Sequence, residues 1–544
     1  SVIGYNIAPA ERVLQGEVPY RDFLFNYTPG ILWVNALLMK AFGATLMATR
    51  IGLFGFKLIT LLVLFHIGQR LTNRWAALVP VALSLAWIGH QQIFNVYPDQ
   101  YLMLFALAAL ICMLNYNERS GARWLMLCGL ATGAVFVLKY NVGVLLVAAV
   151  GLLIAARELM TTRQFGAAIK SIAIYLIGFG VIVGALVAYL VRVHALGAMV
   201  NHFLHHAAEY SETRSVTLPP ASLVLPAVLA LLGVVIVGTV VNRKASRFFG
   251  AFVATMIIVG SVVLLTPARA TFLRDSAIAS VAYFPPLVFT AALVLGLRRF
   301  KNERDIQRWW QDNGALTITG LFAIAVYLEV FPRADYYHLV RVLPPVFLFF
   351  CVFLAQCLPA LKQYFKDQSS PCRVALLVAS APLVFLVLAG IRDTWVPQFD
   401  SSFHFKDNRE LTIERGRGIL VEEKQADLTE GLVRLIQDNS APDDYIFSFA
   451  QRGSALYFLA ARRNPTRFLW WRSVGISSEE RDAVMKMIAD RRAKLIIVQD
   501  VAANREIQDF IATGYDHIGT VSDIAVYGLR KPFSDAASDK LTFN

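Results

Sequence analysis

The stretch SIAIYLIGFGVIVGALVAYLVRV at residues 171–193 carries one charged residue, Arg192. At 1.5 Å per helical residue it crosses a hydrocarbon core of about 30 Å, which takes about 20 residues. Runs of this kind recur near 47–69, 75–91, 99–117, 122–138, 141–156, 221–241, 248–267, 278–297, 314–331, 341–361 and 374–391, so twelve spans are expected. Of the 544 residues 57% are hydrophobic and 16% are charged. Soluble domains carry roughly 25% charged residues, and disordered chains lack this apolar mass. The fold class expected is a polytopic α-helical membrane protein.

The net charge of +13 would suggest a nucleic-acid partner if it were clustered on a soluble surface. It is not. Six alternate connections, beginning with 70–74 and ending with 362–373, hold 18 Lys+Arg, whereas the five between them hold 5. By the positive-inside rule the first set is cytoplasmic. It also accounts for most of the net charge, so the basic balance reports topology and excludes a nucleic-acid partner. The five cysteines have no metal-ligand spacing.

This orientation places residues 1–46 and 392–544 outside, with the spans at 47–391. First residues already outside need a segment to carry them there, so a thirteenth helix is expected upstream of Ser1. The first outer loop is apolar enough to form helices along the membrane surface. Residues 392–544 are expected to form a soluble α/β domain. Strand-like runs at Tyr445 to Phe449, Lys494 to Val498 and Ile524 to Gly528 alternate with helical patterns at 453–461, 478–492 and 503–513. A small parallel sheet follows from that alternation. Arg415-Gly-Arg-Gly418 lacks the strand-turn-helix context of a phosphate loop.

The polar residues with chemical potential gather on the outer side. Glu11 and Asp22 stand in the first loop, Asp99 follows Pro98 at a helix start, Lys139 lies between two spans, and Arg333 and His338 share the fifth loop. Cations can hold and neutralise a phosphate, and a carboxylate can accept a hydroxyl proton. Each residue also has a structural reading: Asp99 as a helix N-terminal charge, Lys139 snorkelling to the interface, and Arg333 and His338 packing. His202, His205, His206 and Glu209 share a helix face and could ligate a metal, but a wet amphipathic surface is the expected reading. Trp309-Trp310 and Trp470-Trp471 fit an interfacial anchor and a core pair.

The pattern Gly4-Tyr, Arg12-Val-Leu-Gln-Gly16, Val18-Pro-Tyr-Arg-Asp22-Phe and Tyr27-Thr-Pro-Gly30 resembles the first outer loop of membrane-embedded GT-C glycosyltransferases. It is most similar to the bacterial branch related to protein mannosyltransferases and lipid A aminoarabinose transferases. Pro98-Asp99, Lys139 after a Gly-rich helix, and Arg333 with Tyr337-His338 before Pro344-Pro345 also match. The resemblance implies an inverting transferase in a bacterial inner membrane, with its C-terminal domain in the periplasm. Its donor would be a polyprenyl-phosphate sugar and its acceptor a lipid, polysaccharide or protein. Lys139, Arg333 and His338 would contact the phosphate, with Asp99 aiding the catalytic acid. No cofactor is certain from the sequence, and a divalent cation is left open.

One departure qualifies this. The family places its catalytic carboxylate near where Ser1-Val2-Ile3 stand. Either the acid lies upstream, or Glu11 or Asp22 substitutes, or the chain is a catalytically silent accessory subunit.

Overall fold

The computed structural model describes residues 3–93, 96–213, 270–303, 305–366, 408–450, 453–469, 471, 478–499 and 505–530. The expected spans 221–241, 248–267 and 374–391 lie outside these residues, as do Ser1 and Val2.

A π-helical turn, Ile3–Ile7, leads into α1 (Ala8–Leu14), with Pro9 in its first turn, where no intrahelical N–H is needed. After α2 (Gly30–Phe42) come α3 (Leu46–Leu71), α4 (Leu78–Ile93), α5 (Pro98–Arg119), α6 (Ala122–Leu138), α7 (Tyr140–Thr161), α8 (Phe165–Arg192) and α9 (Leu196–Thr213). The bundle resumes with α10 (Ala270–Asn302), α11 (Ile306–Tyr327) and α12 (Tyr336–Lys366). Six helices among the described residues are long and apolar enough to cross a membrane, and Gly30–Phe42, Leu78–Trp87 and Ala122–Leu138 are shorter apolar helices. Every expected span within the described residues falls on a helix. The chain is a multi-pass membrane protein.

Lipid offers no hydrophobic drive between helices, so close backbone approach between small residues holds them together. The α6–α8 pair shows it: a Cβ on Gly129 would run into the Tyr175 carbonyl, and one on Gly178 into the Met126 carbonyl. Ile51, Phe54, Leu58 and Leu62 of α3 are exposed and supply a lipid-facing stripe.

The C-terminal part begins with an antiparallel ribbon of β1 (Asn408–Glu410) and β2 (Leu420–Glu422), then α13 (Glu423–Asp438). It continues with β3 (Ile446–Ser448), α14 (Ser454–Ala460), α15 (Ser478–Asp490), β4 (Leu495–Gln499), α16 (Arg505–Gly514), β5 (Tyr515–Val521) and β6 (Ile524–Leu529). The sheet order is β3-β4-β6-β5. Only β3 and β4 are parallel; β6 pairs antiparallel with both β4 and β5. The expected parallel sheet is therefore corrected to a mixed one. The cause is β5: it runs directly out of α16 and turns through Ser522-Asp523 into β6, reversing the chain where a crossover helix would have kept it parallel. Phe447, Phe449 and Trp471 pack with Ile488, Ile496 and Val498 as the core, matching the core reading of Trp471. Trp470 lies outside the described residues.

This part grips the first loop. Arg12 donates from Nη1 to the Thr466 carbonyl at 2.9 Å, the Leu24 amide to the Arg467 carbonyl at 2.8 Å, and Arg415 pairs with Glu11. The loop also anchors to the bundle, because Thr28 Oγ1 donates to the Phe136 carbonyl at 2.8 Å.

Candidate functional site

Four charged side chains meet at one end of the bundle. Asp99 stands in the first turn of α5 behind Pro98, where a carboxylate suits the helix dipole. Lys139 is the single residue joining α6 to α7. Glu329 lies in the 3-10 turn Leu328–Val330 after α11, and Arg341 in the early turns of α12. They are 5–7% exposed, so water does not screen them.

Lys139 Nζ donates to Asp99 Oδ1 at 2.7 Å and also to Glu329. Arg341 Nη1 donates to Asp99 Oδ2 at 3.3 Å, and its guanidinium lies 3.8 Å from the centre of the Tyr97 ring. Lys139 faces the Tyr27 ring at 5.7 Å, and Tyr5 lies edge-on to Tyr27 with ring centres 5.9 Å apart. The head of the first loop therefore stands beside Lys139. Each carboxylate has a cation and each cation a carboxylate, which is how charges persist in a low-dielectric site.

Arg333 and His338 form a second group around Asp335. Arg333 Nε donates to Oδ2 at 2.5 Å, and His338 Nδ1 lies 2.7 Å from Oδ1. Burial works against ionising Asp335, but the hydrogen bonds and charge of His338 and the charge of Arg333 outweigh it and hold the carboxyl well below its usual range.

Glu11 and Asp22 take other positions. Glu11 is buried in α1 and faces Arg415; burial raises its pKa, with the Arg415 charge and hydrogen bond opposing. Asp22 caps the Val18 amide at 2.7 Å and pairs with Arg21 at 2.8 Å, and the Arg21 hydrogen bond is the main cause of its lowered pKa. The structure thus brings Asp99 and Lys139 together, gathers Arg333 and His338 on Asp335, and commits the two first-loop acids to arginines.

Sequence reasoning missed Glu329 and Arg341. Each sits at the edge of an apolar run and reads there as a boundary charge. The signal was an ionisable residue inside or abutting a span, which by cost alone marks a site.

His202 lies 3.1 Å from Asn26 Oδ1, and the side chains of His205, His206 and Glu209 lie outside the described residues. No group of three His, Cys, Asp or Glu side chains that could hold a metal occurs among the described residues. Asp99 and Glu329, the paired carboxylates of the cluster, already have Lys139 between them.

Residues 26–187 match the profile of the Dolichyl-phosphate-mannose-protein mannosyltransferase family. No curated protein sequence matches the chain. Among solved structures, ArnT from Cupriavidus metallidurans in the apo state is similar at 14% identity and a TM-score of 0.51, over 96% of this chain and 92% of that one. ArnT from the same organism bound to undecaprenyl phosphate gives 14% and 0.51, over 97% and 93%. An oligosaccharyltransferase from Archaeoglobus fulgidus gives 12% and 0.49, over 97% and 69%. Residues 26–187 thus carry the profile of that mannosyltransferase family, and the chain shares its fold with the two ArnT structures.

Proposed function

We propose that the chain is an inverting glycosyltransferase that moves a sugar from a polyprenyl-phosphate donor to an acceptor hydroxyl at the periplasmic face of a bacterial inner membrane. The observation that carries this reading is the buried group Asp99, Lys139, Glu329 and Arg341 at the end of an apolar bundle. A phosphate held by a lipid tail reaches such a place from the bilayer. The ArnT structure bound to undecaprenyl phosphate supports the donor class.

In this reading Lys139 and Arg341 turn from carboxylate to phosphate and neutralise the leaving group, with Arg333 and His338 at its approach. The acceptor oxygen attacks the anomeric carbon as the bond to the phosphate oxygen breaks, and that electron pair leaves with polyprenyl phosphate. The acceptor proton passes to a carboxylate: Asp99 or Glu329 once its cation has turned away, or a first-loop acid, Glu11 or Asp22. Direct displacement needs no nucleotide. Residues 392–544 are assigned to the periplasm, where they cover the first loop and dock a lipid, polysaccharide or protein acceptor.

A second reading is a catalytically silent accessory subunit. It is favoured by Glu11 and Asp22 being held by Arg415 and Arg21. Transfer of labelled sugar from polyprenyl-phosphate donors in proteoliposomes separates the two. Transfer that falls at least tenfold in Asp99→Asn and Lys139→Ala is the expected result. Full activity in both variants overturns the residue assignment, and lipid binding without transfer from any donor favours the silent subunit.

A further inference from the structure

A cavity opens at the end of the bundle away from the four-charge cluster, where the end of α10, the first turns of α11 and the later turns of α12 meet. It holds about 470 Å³ and is lined by Arg299, Glu303, Trp309, Asp312, Asn313 and Gln356. Small-molecule sites span roughly 300–1,000 Å³, so there is room for a headgroup. The 22 residues of α11 make about 33 Å of helix between this cavity and Glu329, which follows the far end. A hydrocarbon core is about 30 Å thick, so the two places lie at opposite membrane faces. This one is the face that the positive-inside rule assigns to the cytoplasm.

The guanidinium of Arg299 is held by two amide oxygens: Nη1 donates to Asn313 Oδ1 at 3.1 Å and to Gln356 Oε1 at 3.2 Å. Asn313 is 6% exposed and itself donates to the Trp309 carbonyl at 3.0 Å. Neutral acceptors orient a cation without cancelling its charge, and Arg299 has no ion pair among the described residues. The two neighbouring indoles differ. Trp310 Nε1 donates to Asn117 Oδ1 at 2.8 Å, whereas the buried Trp309 Nε1 has no acceptor among the described residues. A buried donor in that state is costly, and a ligand oxygen would relieve it. Glu303 and Asp312 line the same space; Glu303 Oε1 accepts the Asp305 amide at 3.2 Å, and Asp312 is exposed.

One cation beside two carboxylates disfavours a plain anion, which the acids repel, and a plain cation, which Arg299 repels. A zwitterion satisfies both. Lipid is at hand, because Leu293, Leu297 and Phe300 are exposed at i, i+4 and i+7 on α10 and form an apolar stripe toward the cavity. Phe300 meets Trp309 edge-on with ring centres 5.5 Å apart.

We propose that this cavity is a headgroup site for a zwitterionic phospholipid that ends in a primary ammonium, of the phosphatidylethanolamine class. The phosphate accepts from Arg299 and the Trp309 indole, the ammonium donates to Glu303 and Asp312, and an acyl chain lies on Leu293 and Leu297. A choline headgroup has no N–H and meets only the phosphate half. The site is independent of the donor reading above, since it uses the other end of the bundle and no residue of the cluster.

The test is native mass spectrometry of the full chain in detergent with equal amounts of phosphatidylethanolamine, phosphatidylcholine and phosphatidylglycerol carrying identical acyl chains. Wild type is expected to retain the ethanolamine lipid several-fold over each of the others. Arg299→Gln should lower retention of the ethanolamine and choline lipids alike by about tenfold, the loss of one charge-assisted hydrogen bond to phosphate. Asp312→Asn, at an exposed position, should cut the preference for ethanolamine over choline about two- to fivefold, and adding Glu303→Gln should abolish it. The Asp312→Asn arm decides the matter even where Arg299→Gln fails to fold. Equal retention of the three lipids by wild type, or an unchanged preference in the double variant, overturns the headgroup assignment. Stronger retention of phosphatidylglycerol marks an anionic-lipid surface and overturns it as well. Displacement of the lipid by soluble glycerophosphoethanolamine at the lipid's own concentration overturns the membrane source of the ligand.

Discussion

Nζ of Lys139 lies 2.7 Å from Oδ1 of Asp99, and the same ammonium also holds Glu329. One side chain at the α6–α7 junction thereby ties together the start of α5 and the end of α11. Its removal leaves two buried carboxylates facing each other, which costs about 3–5 kcal/mol when one partner of a buried pair is lost. Lys139→Met is therefore expected to lower the unfolding temperature in detergent markedly. Lys139→Met combined with Glu329→Gln should recover part of the loss, and a double-mutant cycle over the two sites measures their coupling.

Glu11 gives a pH signature. Burial raises its pKa above 4.5 despite Arg415, so the folded chain keeps a proton that the unfolded chain gives up. Its contribution is fully present below 4.5 and is lost as pH rises through the folded value. Across that window the unfolding temperature of wild type should fall relative to Glu11→Gln. Parallel curves for the two proteins would contradict this.

The Arg415 contact also predicts a division of labour. Arg415 bridges Glu11 and the Phe458 carbonyl, at 2.8 Å from the latter. Arg415→Ala should loosen the first loop from the C-terminal part while leaving the cluster around Lys139 intact. Acceptor use is expected to weaken several-fold and undecaprenyl phosphate binding to change less than twofold. A KM measurement for acceptor beside a lipid-binding titration checks it.

Gly178 reports on the bundle. A Cβ there meets the Met126 backbone, which cannot move aside as a flexible side chain can. Gly178→Val should separate α6 from α8, reduce folded yield and lower the unfolding temperature. Gly180→Val, where an added Cβ meets nothing within 4 Å, is the matched control and should be near neutral.

The helices were legible because lipid imposes a one-dimensional requirement, a long apolar run. Segment 122–138 coincides with Ala122–Leu138, and 99–117 falls within Pro98–Arg119. Asp99 and Lys139 were legible for the same reason, as polar residues at the junctions of such runs. The parallel sheet was misread because β5, spelled Tyr515-Asp-His-Ile-Gly-Thr-Val521, is interrupted by Asp516-His517 and by Gly519-Thr520 and so has no continuous apolar run.

The sequence by itself determined the membrane class, the register of the spans within the described residues, and which residues are too polar to face lipid, since these follow from transfer energies along the chain. Only the tertiary structure decided which of those residues meet. Glu329 is 190 positions from Lys139 and Arg341 is 242 from Asp99. Glu11 finds Arg415 across 404 residues. Such pairings depend on how helices pack and how the C-terminal part seats on the first loop. Local periodicity carries no record of either, because the charges are matched through space, where the low dielectric makes an unmatched one costly.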